Sequence, residues 1–225
     1  MLLTFEHSRT FGLVPLEHFN HTVLMATDFT PLEIPDVLLI QTTRHIDERG
    51  YFSETYRKSA FTAINTEFVQ DNFVHSDHKV LRGLHFQLPP KAQGKLVSVL
   101  RGEIFDVAVD LRVGSDTFRQ WVGIQMTPDE AVQLWVPPGF AHGYIVMSES
   151  GADVSYKVTQ EYDPELDSGI KWDDPELAIR WPISDPILSH KDQGLPTLAQ
   201  SDLSAYSNYR AVSYTHLTLP TNREV

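Results

Sequence analysis

The run Glu103-Ile-Phe-Asp-Val-Ala-Val-Asp-Leu111 decides the fold class of this sequence, because its side chains alternate in character. Every second residue from Phe105 to Leu111 is apolar, while Asp106 and Asp110 lie between them. Successive side chains of a β-strand point to opposite faces of its sheet, so the run predicts a half-buried strand. Asp106 should therefore lie outside the apolar layer, with His142 or Lys95 as a partner. Asp110 should be solvated.

Shorter runs of the same kind lie on both sides of this strand, separated by Gly, Pro, Asp or Ser. They are Asp36–Gln41, Tyr51–Tyr56, Glu67–Asn72, Val80–Phe86, Leu96–Leu100, Phe118–Met126, Val132–Val136, Gly143–Met147 and Val154–Tyr162. Only Arg57–Ile64 has a helical pattern. About ten strands against one or two short helices predict an all-β jelly-roll barrel or sandwich.

Composition excludes several classes of protein. The 225 residues carry a net charge of −12, which disfavours nucleic acid and anionic membranes as partners. Zero cysteines exclude a disulfide framework, a zinc-thiolate site and a cysteine nucleophile. No apolar run approaches the roughly 18 residues of a membrane span. The start, Met1 to His7, lacks the basic region of a secretory signal, so we expect a cytoplasmic protein.

The two ends differ from the middle of the chain. Residues 1–30 show no strand or helix period, and Met25 is an alternative start just before patterned sequence begins. Residues 201–225 end in a stretch without charge pairing or amphipathic period. We therefore expect an N-terminal extension at 1–30, one domain at 31–200, and a tail at 201–225 outside the fold.

Two strand-like segments carry histidines in patterns typical of small-molecule cupins. They are Gly83-Leu-His85-Phe-Gln87 and Pro137-Pro-Gly-Phe-Ala-His142-Gly143. Metal-binding cupins supply two histidines at i and i+2, because alternate positions on a strand face inward together. Here Gln87 takes the second place, and an amide is a weak ligand. We therefore expect no metal site, and His85 is free for acid–base work.

Many segments in order resemble the dTDP-4-dehydrorhamnose 3,5-epimerase family, over about residues 32–198. They are Asp47–Glu54, Phe68–Asn72, Val80–Gln87, Pro89–Val97, Gly102–Asp110, Gln133–Pro137, Gly139–Gly143, Tyr156-Lys157, Trp172–Pro175 and Leu188–Asp192. Phe73-Val74 departs from the family, whose members often carry His-Ser there. The resemblance implies a cupin-type jelly roll without cofactor or metal. It also implies that C3 and C5 of a dTDP-linked 4-keto-6-deoxy sugar are inverted through an enolate, for dTDP-L-rhamnose and surface polysaccharide.

The resemblance also implies the catalytic roles. His85 would be the base, oriented by Asp192, Lys95 would face the C4 oxygen, and Tyr156 would return the proton from the opposite face. The expected substrate-binding residues are Arg82, Arg49, Phe52, Glu54, Gln70, Asn72, His142, Asp106, Tyr162 and Lys191. Arg82 and Arg49 are the natural bidentate donors to the diphosphate. A homodimer is implied too, with Asp47–Glu54 of one chain bordering the site of the other.

Strand parity supports part of this arrangement from the residues themselves. On a strand from Val154 to Tyr162, Tyr156 and Tyr162 share a face, and His85 shares one with Gln87. Three alternatives stay open. They are an epimerase that inverts only C3 or only C5, a metal-dependent cupin oxygenase, and a sugar-nucleotide binding module without catalysis.

Overall fold

The computed structural model describes residues 27–207, which form thirteen strands and one short α-helix. The strands are β1 (Asp28–Pro31), β2 (Leu38–Gln41), β3 (Arg44–Asp47), β4 (Gly50–Ser53), β5 (Gln70–Ser76), β6 (Leu81–Gln87), β7 (Lys95–Arg101), β8 (Ile104–Asp110), β9 (Trp121–Met126), β10 (Val132–Val136), β11 (Phe140–Val146), β12 (Ala152–Val158) and β13 (Asp167–Gly169). The helix α1 spans His190–Gln193, and 3-10 helices span Pro128–Glu130, Leu198–Gln200 and Ser204–Tyr206. The predicted all-β class is confirmed. None of the helices in these residues is long and apolar enough to cross a membrane.

The strands form two large sheets and one separate hairpin. One sheet has the order β1-β2-β10-β7-β12-β5 and the other the order β13-β6-β11-β8-β9, while β3 pairs only with β4. Neighbouring strands in both sheets are antiparallel. Because most neighbours are not consecutive in sequence, the chain passes back and forth between the sheets, as in a jelly roll.

A core of apolar side chains lies between the two sheets. Val97 and Leu134 belong to the six-stranded sheet, and Ile104 and Phe140 belong to the five-stranded sheet. Burial of these side chains is the main force that holds the sheets face to face. The inward faces of the strands are therefore the ones that can enclose a site.

Strand β8 is covered on both of its faces. The face that bears Phe105 and Val107 packs outward, beneath the C-terminal part of the chain. Asp106 and Asp110 share the inner face, and both are fully buried. The prediction that Asp110 is solvated is wrong, because the Arg112 guanidinium donates to both of its carboxylate oxygens at 2.8 and 2.7 Å. A buried charge requires such a partner.

Residues 170–206 form the layer that covers the outer face of the five-stranded sheet. Leu177 and Leu198 pack in the same cluster as the outward side chains of β8. The buried Asp174 carboxylate accepts hydrogen bonds from the backbone N–H groups of Glu176, Leu177 and Leu198. This carboxylate joins two parts of the segment, and so fixes the path of the chain toward α1.

The structure differs from the predicted domain boundaries at both ends. Strand β1 pairs with β2, so the six-stranded sheet begins before the predicted boundary. Tyr206 is fully buried, and its hydroxyl donates to the main-chain oxygen of Gln87 at 2.6 Å. Residues 201–206 therefore belong to the fold. The alternative start at Met25 and the remainder of both predicted terminal segments lie outside the described residues.

The predicted helix at Arg57–Ile64 is wrong. The chain makes two successive turns there, and Phe61 and Ile64 pack against Trp135 on the outer face of the six-stranded sheet. So short a segment gains little from helical hydrogen bonds alone, and contact with the sheet decides its shape. The predicted strands all overlap observed ones, whereas β1, β3 and β13 were not predicted.

Candidate active site

The predicted base and its predicted carboxylate are in contact. His85 Nε2 and Asp192 Oδ1 are 2.5 Å apart, and the two side chains are 31% and 4% exposed. Burial by itself raises the pKa of the Asp192 carboxyl, but hydrogen bonds from His85 and Ser189 outweigh it and hold that pKa below its usual value. A carboxylate in this position orients the imidazole and stabilises the imidazolium that forms when the ring takes a proton.

The two members of this pair come from distant parts of the chain. His85 lies on β6, while Asp192 lies in the single turn of α1. The Ser189 hydroxyl caps that turn by accepting a hydrogen bond from the Asp192 N–H at 3.1 Å. The C-terminal segment therefore carries the carboxylate back to the strand that holds the histidine.

Two glycines let β6 and β11 approach closely beside this pair. A Cβ on Gly83 would lie 2.5 Å from the Gly143 Cα, and Gly83 also has a φ of +129°. Both conditions favour glycine. The close approach leaves His85 directly opposite His142 in the register of the two strands.

His142 belongs to a second His–Asp pair, on the inner face of the five-stranded sheet. Its Nε2 lies 2.5 Å from Asp106 Oδ1, and the side chains are only 8% and 0% exposed. Of the two partners expected for Asp106, His142 or Lys95, His142 is the one in contact with it. The second oxygen of Asp106, Oδ2, is buried and makes no hydrogen bond within the described part of the chain.

Lys95 is the buried cation of the site. It begins β7, its side chain points between the sheets, and it is 7% exposed. Burial lowers the pKa of its ammonium group to about 8, against the opposing effect of the nearby carboxylates of Asp167 and Asp106. Within residues 27–207 this ammonium group makes no hydrogen bond or salt bridge, so it is available to a ligand oxygen.

Tyr156 lies on β12, in the sheet opposite His85. Asn72 is its register partner on β5, so the two side chains share the inner face. Burial raises the pKa of the Tyr156 hydroxyl, although the positive charge of Arg82 acts in the opposite direction. Arg82 donates from Nε to the Ser76 hydroxyl at 2.8 Å. The site therefore holds a protonated phenol close to an arginine.

A second tyrosine lies in the loop after β12. The strand ends at Val158, so the prediction that Tyr162 shares a strand face with Tyr156 is wrong. The Tyr162 hydroxyl donates to Asp167 Oδ2 at 3.0 Å, and the Lys191 ammonium group donates to the same oxygen. Asp167 was not predicted, because its three-residue strand carries no pattern that marks it.

The amide of Gln70 ties this loop to β5. Its Oε1 accepts a hydrogen bond from the Tyr162 N–H at 2.9 Å, and its Nε2 donates to Asn72 Oδ1 at 2.9 Å. Both predicted amide residues therefore lie between Tyr162 and Tyr156. Their contacts connect the loop tyrosine to the strand tyrosine.

Three predicted binding residues lie in or beside the exposed hairpin of β3 and β4. Arg49 forms a salt bridge with Asp47 within the hairpin at 2.5 Å, and Phe52 is 67% exposed. Glu54 accepts a hydrogen bond from Arg57 Nε at 2.8 Å. The hydrogen bonds and salt bridges that the structure gives Arg49 and Glu54 are local ones, and none of them reaches His85 or Asp192 within the described residues.

The inner face does not offer the residues of a metal centre. Among the residues that the structure describes, no group of three or more His, Asp or Glu side chains could hold a metal ion. Gln87, at the place of the second cupin histidine, donates from Nε2 to the carbonyl oxygens of Lys91 and Glu161. Its Oε1 accepts from the Asp163 N–H. The amide is therefore committed to hydrogen bonds within the protein.

Comparisons with known proteins agree with this geometry. The family model described as dTDP-4-dehydrorhamnose 3,5-epimerase matches residues 31–200. The dTDP-4-dehydrorhamnose 3,5-epimerase of Pseudomonas aeruginosa is 49% identical over 177 residues, which cover 77% of this chain and 97% of that protein. The protein of that name from Escherichia coli is 49% identical over 170 residues, covering 74% and 91%.

Solved structures lead to the same family. The crystal structure of dTDP-6-deoxy-D-glucose-3,5-epimerase from Legionella pneumophila, in complex with dTDP-4-keto-L-rhamnose, has a TM-score of 0.78 at 43% identity, covering 82% of this chain and 100% of that one. A 3'-monoepimerase from Streptomyces bikiniensis, in complex with dTDP-quinovose, has a TM-score of 0.71 at 31% identity, covering 75% and 87%. Since the family model spans most of the chain and the relatives share nearly half of its aligned residues, this chain belongs to the dTDP-4-dehydrorhamnose 3,5-epimerase family.

Proposed function

We propose that this chain converts dTDP-4-dehydro-6-deoxy-D-glucose to dTDP-4-dehydro-L-rhamnose by inverting C3 and C5 of the sugar. The observation that carries the proposal is the 2.5 Å contact of His85 with Asp192, in a barrel whose inner face also holds Lys95 and Tyr156. The names of the relatives support the choice of substrate. Its cytoplasmic location and its role in polysaccharide synthesis stay predictions.

The proposed reaction needs a base, an acid and a cation. Hydrogens on the carbons beside a ketone become acidic when the enolate oxygen is stabilised. Since Asp192 holds Nε2 of His85, the other ring nitrogen takes the proton from C3 or C5, and the electron pair of the broken C–H bond moves toward the C4 oxygen. The Lys95 ammonium group stabilises the negative charge there.

Tyr156 then returns a proton from the opposite face of the sugar ring. Its raised pKa keeps the hydroxyl protonated at neutral pH, as a proton donor must be. Each cycle consumes one proton from Tyr156 and delivers one to His85, and exchange with solvent resets both groups. Inversion at the second carbon repeats these steps.

Deuterium labelling tests this proposal. The purified chain is incubated with dTDP-4-dehydro-6-deoxy-D-glucose in deuterated water, and NMR locates the deuterium. We expect label at both C3 and C5, and at least about 10²-fold less of it in the His85→Gln variant. Label at C3 alone would instead assign the activity of a 3'-monoepimerase, and the absence of label would reject epimerisation.

We also propose that two copies of the chain form a homodimer through the β3–β4 hairpin. Ile46, Tyr51 and Phe52 are 80%, 60% and 67% exposed on this hairpin, which is unusual for large apolar side chains. Docking on a second copy would bury them and would bring Arg49 and Phe52 to the partner's site.

Mixing two inactive variants tests the exchange of the hairpin. His85→Gln removes the base of a site, and Arg49→Ala combined with Phe52→Ala removes the hairpin contribution to the other copy's site. If the hairpin acts in the second copy, a mixed dimer contains one complete site. The hairpin variant supplies His85 to that site, and the His85→Gln chain supplies the intact hairpin. Activity should therefore return on mixing. A monomer in light scattering, or mixing without any recovery, would reject this proposal.

A further inference from the structure

Gln87 is a buried residue beside the site whose side chain the proposed reaction does not use. It lies two positions after His85 on β6 and is 3% exposed. Its amide donates to the Lys91 carbonyl oxygen at 2.6 Å and to the Glu161 carbonyl oxygen at 3.1 Å. It also accepts from the Asp163 N–H at 2.9 Å. Both N–H groups and the oxygen are thus engaged.

These three hydrogen bonds join two loops that lead to site residues. Lys91 lies in the loop 88–94, which runs directly into Lys95. Glu161 and Asp163 flank Tyr162 in the loop after β12. A single amide on the strand of the base therefore contacts both loops at once.

A second set of contacts joins the two loops directly to each other. The Gly94 N–H donates to the Thr159 hydroxyl at 2.8 Å, and the Thr159 N–H donates to the Gly94 carbonyl oxygen at 3.1 Å. On the surface, Lys91 forms a salt bridge with Asp163 at 2.8 Å. Gln87 is the member of this network that connects the loops to β6.

We propose that Gln87 is a positioning residue for the reaction proposed above, which fixes the base, the Lys95 ammonium group and Tyr162 relative to one another. The inference rests on that proposed function for its effect on turnover. Catalytic groups must be held within a fraction of an ångström of the productive geometry. Hydrogen bonds from one buried amide to both loops supply that restraint.

The Gln87→Glu variant is the sharpest test, because it keeps size and shape. A carboxylate would put a negative oxygen where Nε2 meets two carbonyl oxygens, and so would repel the Lys91 and Glu161 carbonyl oxygens and displace both loops. We expect kcat/KM to fall by about 10- to 100-fold near neutral pH, as for a small misplacement of catalytic groups. At acid pH the introduced carboxyl becomes protonated and can donate one bond again, so part of the activity should return relative to wild type.

Tyr206→Phe is the matched control. It removes a buried hydrogen bond to the same residue, at the main-chain oxygen of Gln87, and keeps the three hydrogen bonds of the Gln87 amide to the loops. We expect it to lower the melting temperature while kcat/KM stays close to the wild-type value at every pH. If Gln87→Glu does not fold, Gln87→Met keeps the length of the side chain and removes all three bonds.

Amide hydrogen exchange gives a second readout that needs no substrate. Exchange in the loops 88–94 and 159–166 should rise in the Gln87 variant and not in Tyr206→Phe. Equal activity loss in the two variants at equal loss of stability, or unchanged kcat/KM in Gln87→Glu, would overturn the positioning role. A wild-type chain that leaves the sugar unchanged would reject the proposed function, and loop exchange would still report whether Gln87 holds the loops.

Discussion

The two His–Asp pairs of this protein have the same local geometry in different surroundings. In each pair Nε2 and Oδ1 are 2.5 Å apart, yet the His85 side chain is 31% exposed and the His142 side chain 8%. Asp192 comes from the C-terminal segment, whereas Asp106 lies on a central strand beside its histidine. A histidine that exchanges protons with a ligand and with water needs access. The buried His142–Asp106 pair keeps a fixed orientation instead.

Replacing the two histidines in turn should give the largest difference between the pairs. We expect His85→Gln to reduce deuterium incorporation by about 10²- to 10⁴-fold, the range for loss of a general base. His142→Gln should cost much less, and mainly in KM. NMR of exchange at C3 and C5 in both folded variants measures this. Equal losses would mean that the His142–Asp106 pair also moves protons.

Lys95, the buried lysine near the His142–Asp106 pair, should contribute to kcat. Negative charge develops at the C4 oxygen only in the transition state, whereas the diphosphate is charged throughout the reaction. We therefore expect Lys95→Met to lower kcat by about 10²-fold, as for one oxyanion donor, and Arg82→Met to raise KM. Steady-state kinetics at saturating substrate distinguish the two. The reverse result would exchange the roles of these cations.

The pH at which kcat/KM falls on the alkaline side should depend on the His142–Asp106 pair and not on the His85–Asp192 pair. Because Lys95 has a pKa of about 8, kcat/KM should fall as pH rises through that value, and Lys95→Arg should remove the fall. Asp106 acts to raise this pKa, so Asp106→Asn should shift the fall to lower pH. Asp192→Asn should leave the pH of this fall unchanged. A profile of kcat/KM against pH decides between these outcomes.

The smallest effect that we predict is the contribution of the His85–Asp192 pair to the free energy of unfolding. Asp192 has a lowered pKa in the folded state, so its contribution is present above the usual 3.8 and is lost as pH falls through the folded value. Asp192→Asn should therefore cost about 1.5 to 3 kcal/mol at neutral pH, the range for a hydrogen bond to a charged group. In acid, urea unfolding of the two proteins should converge. A cost that persists there would indicate lost packing instead.

The sequence predicted the strands well because period-two alternation is a local property of the chain. The same alternation misled the interpretation of β8, where the apolar face is covered by the C-terminal segment and the acidic face lies inside. No local pattern reveals which of two faces will meet another part of the chain. The solvated state predicted for Asp110 failed for that reason. Parity placed Asp106 on the other face from Phe105 and Val107, but it left His142 and Lys95 open as its partner.

Long-range contacts explain the other differences. The turn at Phe61 and Ile64 is shaped by Trp135, which lies far away in sequence. The hydrogen bonds of Asp167 come from Tyr162 in a loop and Lys191 in α1, which meet only in three dimensions. The motif of Gln87 predicted that this amide would be a weak metal ligand. It gave no indication that the amide joins two loops.

The position of Asp192 near the end of the chain has a consequence for biosynthesis. Chains generally fold from their amino-terminal parts first as they leave the ribosome. All of the strands that build the two sheets around His85 are translated before α1. A nascent chain thus holds its imidazole well before it holds the carboxylate that orients it. Translation must therefore pass Asp192 before the His85–Asp192 pair can form.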